Sequence, residues 1–403
     1  MPQSGHETHP LRRAIFFRYA LLADDVAAEM VRLGIEVHWL TPKTVTVAEF
    51  EAACARLQPD FVFSINFSPE VALLASHAGR PYLSWTIDPL PAARLRLHLG
   101  TDPRGCVAFA HRRALVAELA GLGLPDVRHL PLAAATRRAD ATGLTEELQG
   151  FRCDASFVGN SLADDGRSFT NTLRDMGADS AAIAMWQNWA AHELVAHQQG
   201  IDYHGVDAQD PTTALITAPL DRLDATRLDI AVLVDAINGR LAQLWRERVV
   251  RTVDSALRAQ VPAMRFAVWG DAGWLASAGE SYRGVAHHGE VLSRIYAASR
   301  VNLDAPRIYQ RDIVTLRVFD VLACGGLVLT EPSTDLGELF TDGEHLVTYT
   351  GLRDLARKVA LLARDPERGG AIGERGRAHV LQHHQLSRRV GALLHALLER
   401  TAH

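Results

Sequence analysis

The sequence has little lysine, few cysteines and no long apolar run, and each shortage excludes a class of protein. Lys43 and Lys358 are the only lysines among 42 basic residues, and 47 acidic residues bring the net charge to −5. A chain with this balance lacks the basic field by which proteins bind nucleic acid or anionic membranes without selectivity. We therefore predict no nucleic-acid partner.

The few cysteines are scattered, without C-x-x-C or Cys/His spacing, so neither a zinc site nor a disulfide framework is indicated. They stand at Cys54, Cys106, Cys153 and Cys324. The first ten residues are polar, unlike a signal peptide, and no segment approaches the roughly 18 apolar residues of a membrane-spanning helix. These features predict a soluble cytoplasmic protein with no metal site and no transmembrane segment.

What the sequence does contain is a regular alternation of short apolar segments with amphipathic helical segments. The alternation runs from Ala14 to about residue 132 and restarts at residue 154. It predicts an α/β fold with two doubly wound, parallel-sheet domains. In the second half the predicted strands cover residues 154–159, 265–270, 282–289, 300–303 and 326–330.

Five segments follow from this pattern. Residues 1–135 form a Rossmann-like domain, and residues 136–150 form a polar linker. Residues 151–380 form a second Rossmann-like domain, with a mostly helical insertion over 167–260. The helix over 381–403 is expected to pack back on the first domain. The two sheets would face a cleft, and the insertion either extends its domain's core or carries a homodimer contact.

The densest group of polar residues follows the predicted strand over 300–303. Asp312 stands where the N-cap of the next helix belongs, and the N–H groups after it would suit a phosphate. Arg317 and Asp320 lie three residues apart, so they share one face of that helix, either as a surface ion pair or as part of a ligand site. The site is favoured by its place at the carboxyl end of a strand.

Several segments resemble one glycosyltransferase family. YAAS at 296–299, RVFDVLACG at 317–325 and LTE at 329–331 resemble the signature of the CgeB-like, spore-maturation type glycosyltransferases. Other segments resemble the N-terminal domain that accompanies it, and the likeness covers most of the chain except the insertion. They are DFVFSINF at 60–67, PYLSWTIDP at 81–89 and LPLA at 130–133, together with SFVGNS at 156–161 and HQLSRRV at 384–390.

The resemblance implies the GT-B architecture and transfer of a sugar from a nucleotide-diphosphate sugar to a hydroxyl of a protein, a glycan or a small molecule. It implies that residues 1–135 bind the acceptor and residues 151–380 the donor, and that the insertion over 167–260 could carry acceptor choice. A UDP-sugar is the favoured donor and a hexosyl or N-acetylhexosaminyl group the transferred sugar, with no cofactor. Acidic residues eight positions apart, here Asp312 and Asp320, would approach the donor sugar and the ribose. Both are Asp where Glu is usual, and the Gly-Phe-Gly loop of related enzymes is missing, so the stereochemical outcome stays open.

A metal-free donor site must stabilise the departing diphosphate with a helix N-terminus and arginines. The candidates are Arg167, Arg307 and Arg317, together with Thr315 and the N–H groups after Asp312. Arg167 could equally be a solvated arginine on the first helix of the insertion, which leaves both interpretations open.

Four further donor-site candidates end predicted strands. Gly159 and Gly270 would let the backbone approach a nucleotide, and Asn160 could donate to a phosphate, although tight turns explain all three nearly as well. His288 would lie near the base. Metal binding by His288 and its neighbour is not expected, because adjacent strand residues point to opposite faces.

The acceptor needs a proton-accepting group if the reaction inverts the sugar. Asp88 is the first candidate base, although an Asp-Pro pair also starts turns. Ser64 and Asn66, at the end of the preceding strand, could bind a sugar, and His111 is a third option. Two alternatives to the transferase remain: a sugar-nucleotide epimerase of the same fold, and a nucleotide-sugar-binding module without activity.

Overall fold

The protein is described from a computed structural model that covers residues 9–42, 45–89, 96–135, 147–198, 218–260, 264–287 and 290–401. The chain divides into two compact units. Unit 1 comprises Met1–Ala135 and His383–His403, and unit 2 comprises Thr136–Gln382. Each unit is built on its own parallel β-sheet.

The sheet of unit 1 has the strand order β2-β1-β3-β4-β5-β6, and its pairs are parallel. Strand order reverses at β1, which pairs with β2 on one side and β3 on the other. The central strands are buried along their whole length, which explains their continuous apolar sequence. The strands are β1 (Arg13–Phe17), β2 (Glu36–Leu40), β3 (Phe61–Ile65), β4 (Tyr82–Thr86), β5 (Cys106–Ala110) and β6 (Val127–His129).

The connecting helices of unit 1 begin where the sequence offers caps. The clearest case is a capping box, in which the Glu49 N–H donates to Thr46 Oγ1 at 3.2 Å and the Thr46 N–H donates to Glu49 Oε2 at 2.8 Å. Such a box satisfies two N–H groups that lack partners inside the helix. The helices are α1 (Ala23–Arg32), α2 (Val47–Leu57), α3 (Pro69–His77) and α4 (Arg113–Ala120).

The sheet of unit 2 has the strand order β11-β10-β9-β7-β8, again with parallel pairs. Here the order reverses at β7, which pairs with β8 and with β9. In open α/β sheets, ligands bind beyond the carboxyl ends of the strands at such a switch point. The strands are β7 (Ala155–Val158), β8 (Phe266–Trp269), β9 (Asn302–Leu303), β10 (Val328–Thr330) and β11 (Val347–Thr348).

The described part of the predicted insertion consists of helices that belong to the core of unit 2. The longest of them packs against its neighbours through a stripe of buried residues spaced four apart, which includes Ile237, Leu241, Trp245 and Val249. These side chains share one apolar cluster with strand residues Phe157 and Leu303. The helices are α5 (Ala163–Asp175), α6 (Ser180–Gln198) and α7 (Ile230–Gln260).

The remaining α-helices of the described residues follow β8. They are α8 (Leu275–Ala278), α9 (Glu290–Ala298), α10 (Leu316–Ala323), α11 (Thr334–Leu339), α12 (Gly351–Arg364), α13 (Pro366–His383) and α14 (Leu386–Thr401). Nowhere in the described ranges does a helix have the length and apolar character needed to cross a bilayer.

The last helix, α14, is part of unit 1. The Leu386 N–H donates to the Ala134 carbonyl at 3.0 Å, and Arg128 pairs with Glu399 at 2.8 Å. Its apolar face is buried against α1 and β5 of the same unit through Val390, Leu393, Leu394 and Leu397.

One predicted strand, over residues 282–289, is wrong. Tyr282 makes a single bridge to Val268, and residues 283–287 have no regular structure. Pairing ends because Gly284 has a φ of 94°, a conformation outside the β region. The Gly284 carbonyl instead accepts the Gly270 N–H at 2.9 Å.

Candidate functional site

A group of charged side chains in unit 2 lies at the switch point of its sheet, where Gly159 follows β7 and Asp304 follows β9. Arg317, in the first turn of α10, reaches this edge. Its Nε donates to the Val158 carbonyl at 2.7 Å, and its Nη1 pairs with Asp304. Asp304 is 1% exposed and also accepts a hydrogen bond of 3.0 Å from Thr330. The predicted donor-site residue Arg317 is therefore half of a buried ion pair.

A second arginine, Arg246, comes from the middle of α7 and was not predicted. Its Nη1 donates to the Asn160 carbonyl at 2.8 Å and its Nη2 to the Ala305 carbonyl at 3.2 Å. Both Arg246 and Arg317 lie over the ring of Phe157, with 5.8 Å and 5.1 Å from the guanidinium carbon to the ring centroid. The sequence signal is a charged residue on the buried stripe of α7, next to Trp245.

The electrostatics of Arg246 show that the arginines form one cluster. Burial first, and then the charges of Arg317 and Arg307, lower the pKa of Arg246 to about 9. Asp304 and Asp165 act in the opposite direction. Arg307 itself donates to Asp165 at 2.9 Å. The group of three guanidiniums and two carboxylates has a surplus of positive charge, which an anion would compensate.

The helix N-terminus beside this cluster begins later than predicted. The N-cap of α10 is Thr315 and not Asp312, which lies in the preceding turn. The N-cap prediction for Asp312 is therefore wrong, and the reason is the β-branched run Ile313-Val314-Thr315, which favours extended backbone. The side chain of Thr315 does not cap the helix, and its Oγ1 is buried with no hydrogen-bond partner among the described residues.

Two glycines are needed at the site because protein atoms occupy the space beside them. A Cβ on Gly159 would lie 2.6 Å from Arg317 Nη2. A Cβ on Gly270 would overlap the Gly159 carbonyl oxygen and lie 2.8 Å from Trp274 Nε1, which donates to that same oxygen. The close approach predicted at these strand ends exists, but its partners are protein groups.

We expect Gly270→Ala to destabilise unit 2 by about 1–3 kcal/mol, because the added methyl group must displace a backbone carbonyl. Urea unfolding followed by tryptophan fluorescence measures the change. The matched control is Gly337→Ala in α11, where a Cβ meets nothing within 4 Å. That variant should gain about 0.5–1 kcal/mol from the higher helix propensity of alanine. Equal stability of the two variants would contradict the packing argument.

Asp271, after β8, fixes the loop that carries Gly159 and Asn160. Its carboxylate accepts the Ser161 N–H at 2.7 Å, the Ser161 hydroxyl at 2.6 Å and the Gly273 N–H at 2.8 Å. Burial alone would raise the pKa of Asp271, but these hydrogen bonds lower it below its ordinary value. This residue was missed because its partner Ser161 is distant in sequence.

Other predicted donor-site residues are exposed away from the cluster, buried in the protein interior, or outside the described residues. Arg167 is exposed on α5 and pairs with Asp164. Asn160 contributes its backbone carbonyl, while its side chain is exposed. Asp320 is 3% exposed within α10. His288 falls outside the described residues.

The predicted acceptor residues lie at the carboxyl edge of the sheet in unit 1. Asp88 accepts hydrogen bonds from Asn66 Nδ2 at 2.9 Å and from the hydroxyl of Tyr19, which the sequence did not point to. Ser64 is 3% exposed and its hydroxyl donates to the Asn66 carbonyl at 2.7 Å. His111 is also 3% exposed, and its Nδ1 lies 3.0 Å from the Thr86 carbonyl. The structure thus joins Asp88 and Asn66 and buries the other two.

Within the described ranges, no three His, Cys, Asp or Glu side chains are grouped so that they could hold a metal ion.

The chain was compared with protein families and with curated protein sequences. Residues 246–395 match the family model described as glycosyl transferase-like. No curated protein sequence matches the chain. The family match includes Arg246, Arg307 and Arg317 and therefore covers the arginine cluster.

Solved structures show the fold. A glycosyltransferase from Rickettsia africae is 9% identical with a TM-score of 0.55, covering 98% of this chain and 99% of its own. HepE of Anabaena, in complex with UDP and glucose, is 11% identical with a TM-score of 0.53, covering 96% and 99%. Sucrose-phosphate synthase of Thermosynechococcus elongatus is 12% identical with a TM-score of 0.54, covering 96% and 99%. The predicted α/β GT-B fold, with two parallel sheets, is confirmed.

Proposed function

We propose that the protein is a glycosyltransferase that moves a sugar from a nucleoside-diphosphate sugar to an acceptor hydroxyl. The observation that carries the proposal is the convergence of Arg246, Arg307 and Arg317 at the switch point of the second sheet. This cluster has a surplus of positive charge and lies beside the N-terminus of α10. The family match and the GT-B fold support transferase chemistry, and the CgeB-like subgroup is part of the proposal.

The cluster suits the leaving group of this reaction. When the bond from the anomeric carbon to the diphosphate breaks, its electron pair stays on the diphosphate, and the transition state is stabilised by groups that meet this developing charge. One guanidinium can donate two parallel hydrogen bonds to two oxygens of a phosphate. The first N–H groups of α10 add further donors. We propose that the Thr315 hydroxyl, which has no hydrogen-bond partner among the described residues, also donates to the diphosphate. We therefore propose that arginines supply the charge compensation without a metal.

The favoured donor is a UDP-sugar with a hexosyl or N-acetylhexosaminyl group. HepE of Anabaena, which shares the fold, has been solved with UDP, and with UDP and glucose. On the acceptor side we propose an inverting reaction, in which Asp88 is the base that accepts the proton of the attacking hydroxyl. Asp312 and Asp320 keep their proposed roles toward the donor sugar and the ribose.

Thermal-shift measurements with UDP, GDP and dTDP test the proposal. A ligand at 100 times its Kd stabilises the folded chain by about 2.7 kcal/mol, which is a readily measured rise in Tm. We expect UDP to raise Tm more than UMP, because the arginine cluster recognises the diphosphate. Release of UDP from a UDP-sugar should persist in EDTA. No shift with any of the nucleotides would contradict the proposed function, and an epimerised UDP-sugar without free UDP would favour the epimerase.

A further inference from the structure

The loops after β1 and β3 of unit 1 place two side chains around the carboxylate of Asp88, which follows β4. Asp88 Oδ2 accepts hydrogen bonds from both the Tyr19 hydroxyl and Asn66 Nδ2. Among the described residues, its Oδ1 receives no hydrogen bond from the protein. Two donors occupy the lone pairs of Oδ2, so Oδ1 is the oxygen left for an incoming O–H group.

Asn66 is itself rigidly held. It has a φ of 62°, in the left-handed region that Asn tolerates better than most residues. Its Oδ1 accepts the N–H groups of Ile87 at 2.8 Å and Asp88 at 3.1 Å, and its own carbonyl accepts the Ser64 hydroxyl. The side chain therefore joins the end of β3 to the end of β4 and fixes both the backbone and the carboxylate of Asp88.

Tyr19 is a donor that keeps its proton. Burial, followed by the hydrogen bond to Asp88 and the charge of that residue, raises the pKa of Tyr19 well above its ordinary value. An ionised phenol beside a carboxylate is unfavourable, so the hydroxyl remains a hydrogen-bond donor across the working pH range. Tyr19 as a whole residue is 40% exposed, so it lies at the edge of the sheet and outside the apolar core.

We propose that Tyr19 and Asn66 are positioning residues that hold Asp88 so that its Oδ1 takes the proton of the acceptor hydroxyl. This rests on the transferase function proposed above. In the step, the acceptor oxygen bonds to the anomeric carbon, and the bond from that carbon to the diphosphate oxygen breaks with its electron pair on the diphosphate. The proton of the acceptor moves to Asp88 Oδ1. Misplacement of such a base by a fraction of an ångström lowers the rate without changing donor binding.

The test compares Tyr19→Phe, Asp88→Asn and the double variant, with release of UDP from UDP-glucose as the activity and UDP thermal shift as the binding measurement. We expect Tyr19→Phe to lower kcat about tenfold to a hundredfold with an unchanged KM for the donor. Asp88→Asn should lower kcat about 10²- to 10⁴-fold. The double variant should be no slower than Asp88→Asn, because Tyr19 acts only through that carboxylate.

Thr46→Ala is the matched stability control, since it removes the capping box of α2 in the same unit. It should lower Tm and leave kcat unchanged. An unchanged kcat in Tyr19→Phe, or a double variant in which the two losses multiply, would overturn the positioning role. Full activity of Asp88→Asn would overturn it as well. In each of these cases a normal UDP shift leaves the proposed function standing, whereas its absence from the wild-type protein counts against that function.

Discussion

Arg317→Met should destabilise unit 2 by about 3–5 kcal/mol, because it leaves the carboxylate of Asp304 buried without its cation. Asp304 is 1% exposed. Among the described residues, the side chain of Thr330 would remain as a hydrogen-bond donor to its carboxylate. Urea unfolding monitored by tryptophan fluorescence measures the loss. The matched control is Arg357→Met on α12, whose pair with Asp354 at 2.7 Å is exposed at the arginine. That change should cost less than about 1 kcal/mol.

The double variant Arg317→Met with Asp304→Asn separates stability from binding. Removing both charges removes the penalty of an unpaired carboxylate, so most of the lost stability should return. The double variant should bind UDP more weakly than the wild-type protein, because the cluster has lost a guanidinium. Wild-type affinity for UDP in this variant would show that the donor site lies elsewhere, and wild-type stability of Arg317→Met would show that the ion pair is unimportant.

Arg246→Met should have the opposite profile: UDP affinity falls by about 10- to 100-fold, the equivalent of one or two charge-assisted hydrogen bonds, while stability changes little. Removing Arg246 leaves the Asn160 and Ala305 carbonyls without a donor, but it also removes a buried cation whose two hydrogen-bond partners are uncharged. These effects oppose each other, so the net change should stay below about 2 kcal/mol. Isothermal titration with UDP measures the affinity.

Local sequence patterns predicted the elements of the fold well and the site only in part. Helix α2 begins at Val47 because Thr46 and Glu49 form a capping box that depends on neighbouring residues alone. Asp312 was a wrong N-cap because a β-branched run delays the start of α10 until after Thr315. Capping preferences and strand preferences compete there, and a single sequence does not show which dominates.

The missed residues are those whose roles depend on strand order. Arg246 reaches the site only because α7 brings it over the ring of Phe157 in β7, and Tyr19 reaches Asp88 only because β1 lies next to β3. The residues that neighbour Arg246 and Tyr19 in the sequence do not reveal either contact. Asp88 and Asn66 could be proposed singly because each ends an apolar strand, but their contact required the parallel pairing of β3 with β4.

The position of α14 has a consequence for biosynthesis. Unit 1 is made from both ends of the chain, and its core needs the buried face of α14, which includes Val390, Leu393 and Leu397. A ribosome therefore releases all of unit 2 before it releases the segment that completes unit 1. Domains generally fold as units as they emerge, so unit 1, whose strands precede unit 2 in the chain, is completed only after unit 2. Until then, the parts of α1 and β5 that α14 covers remain exposed.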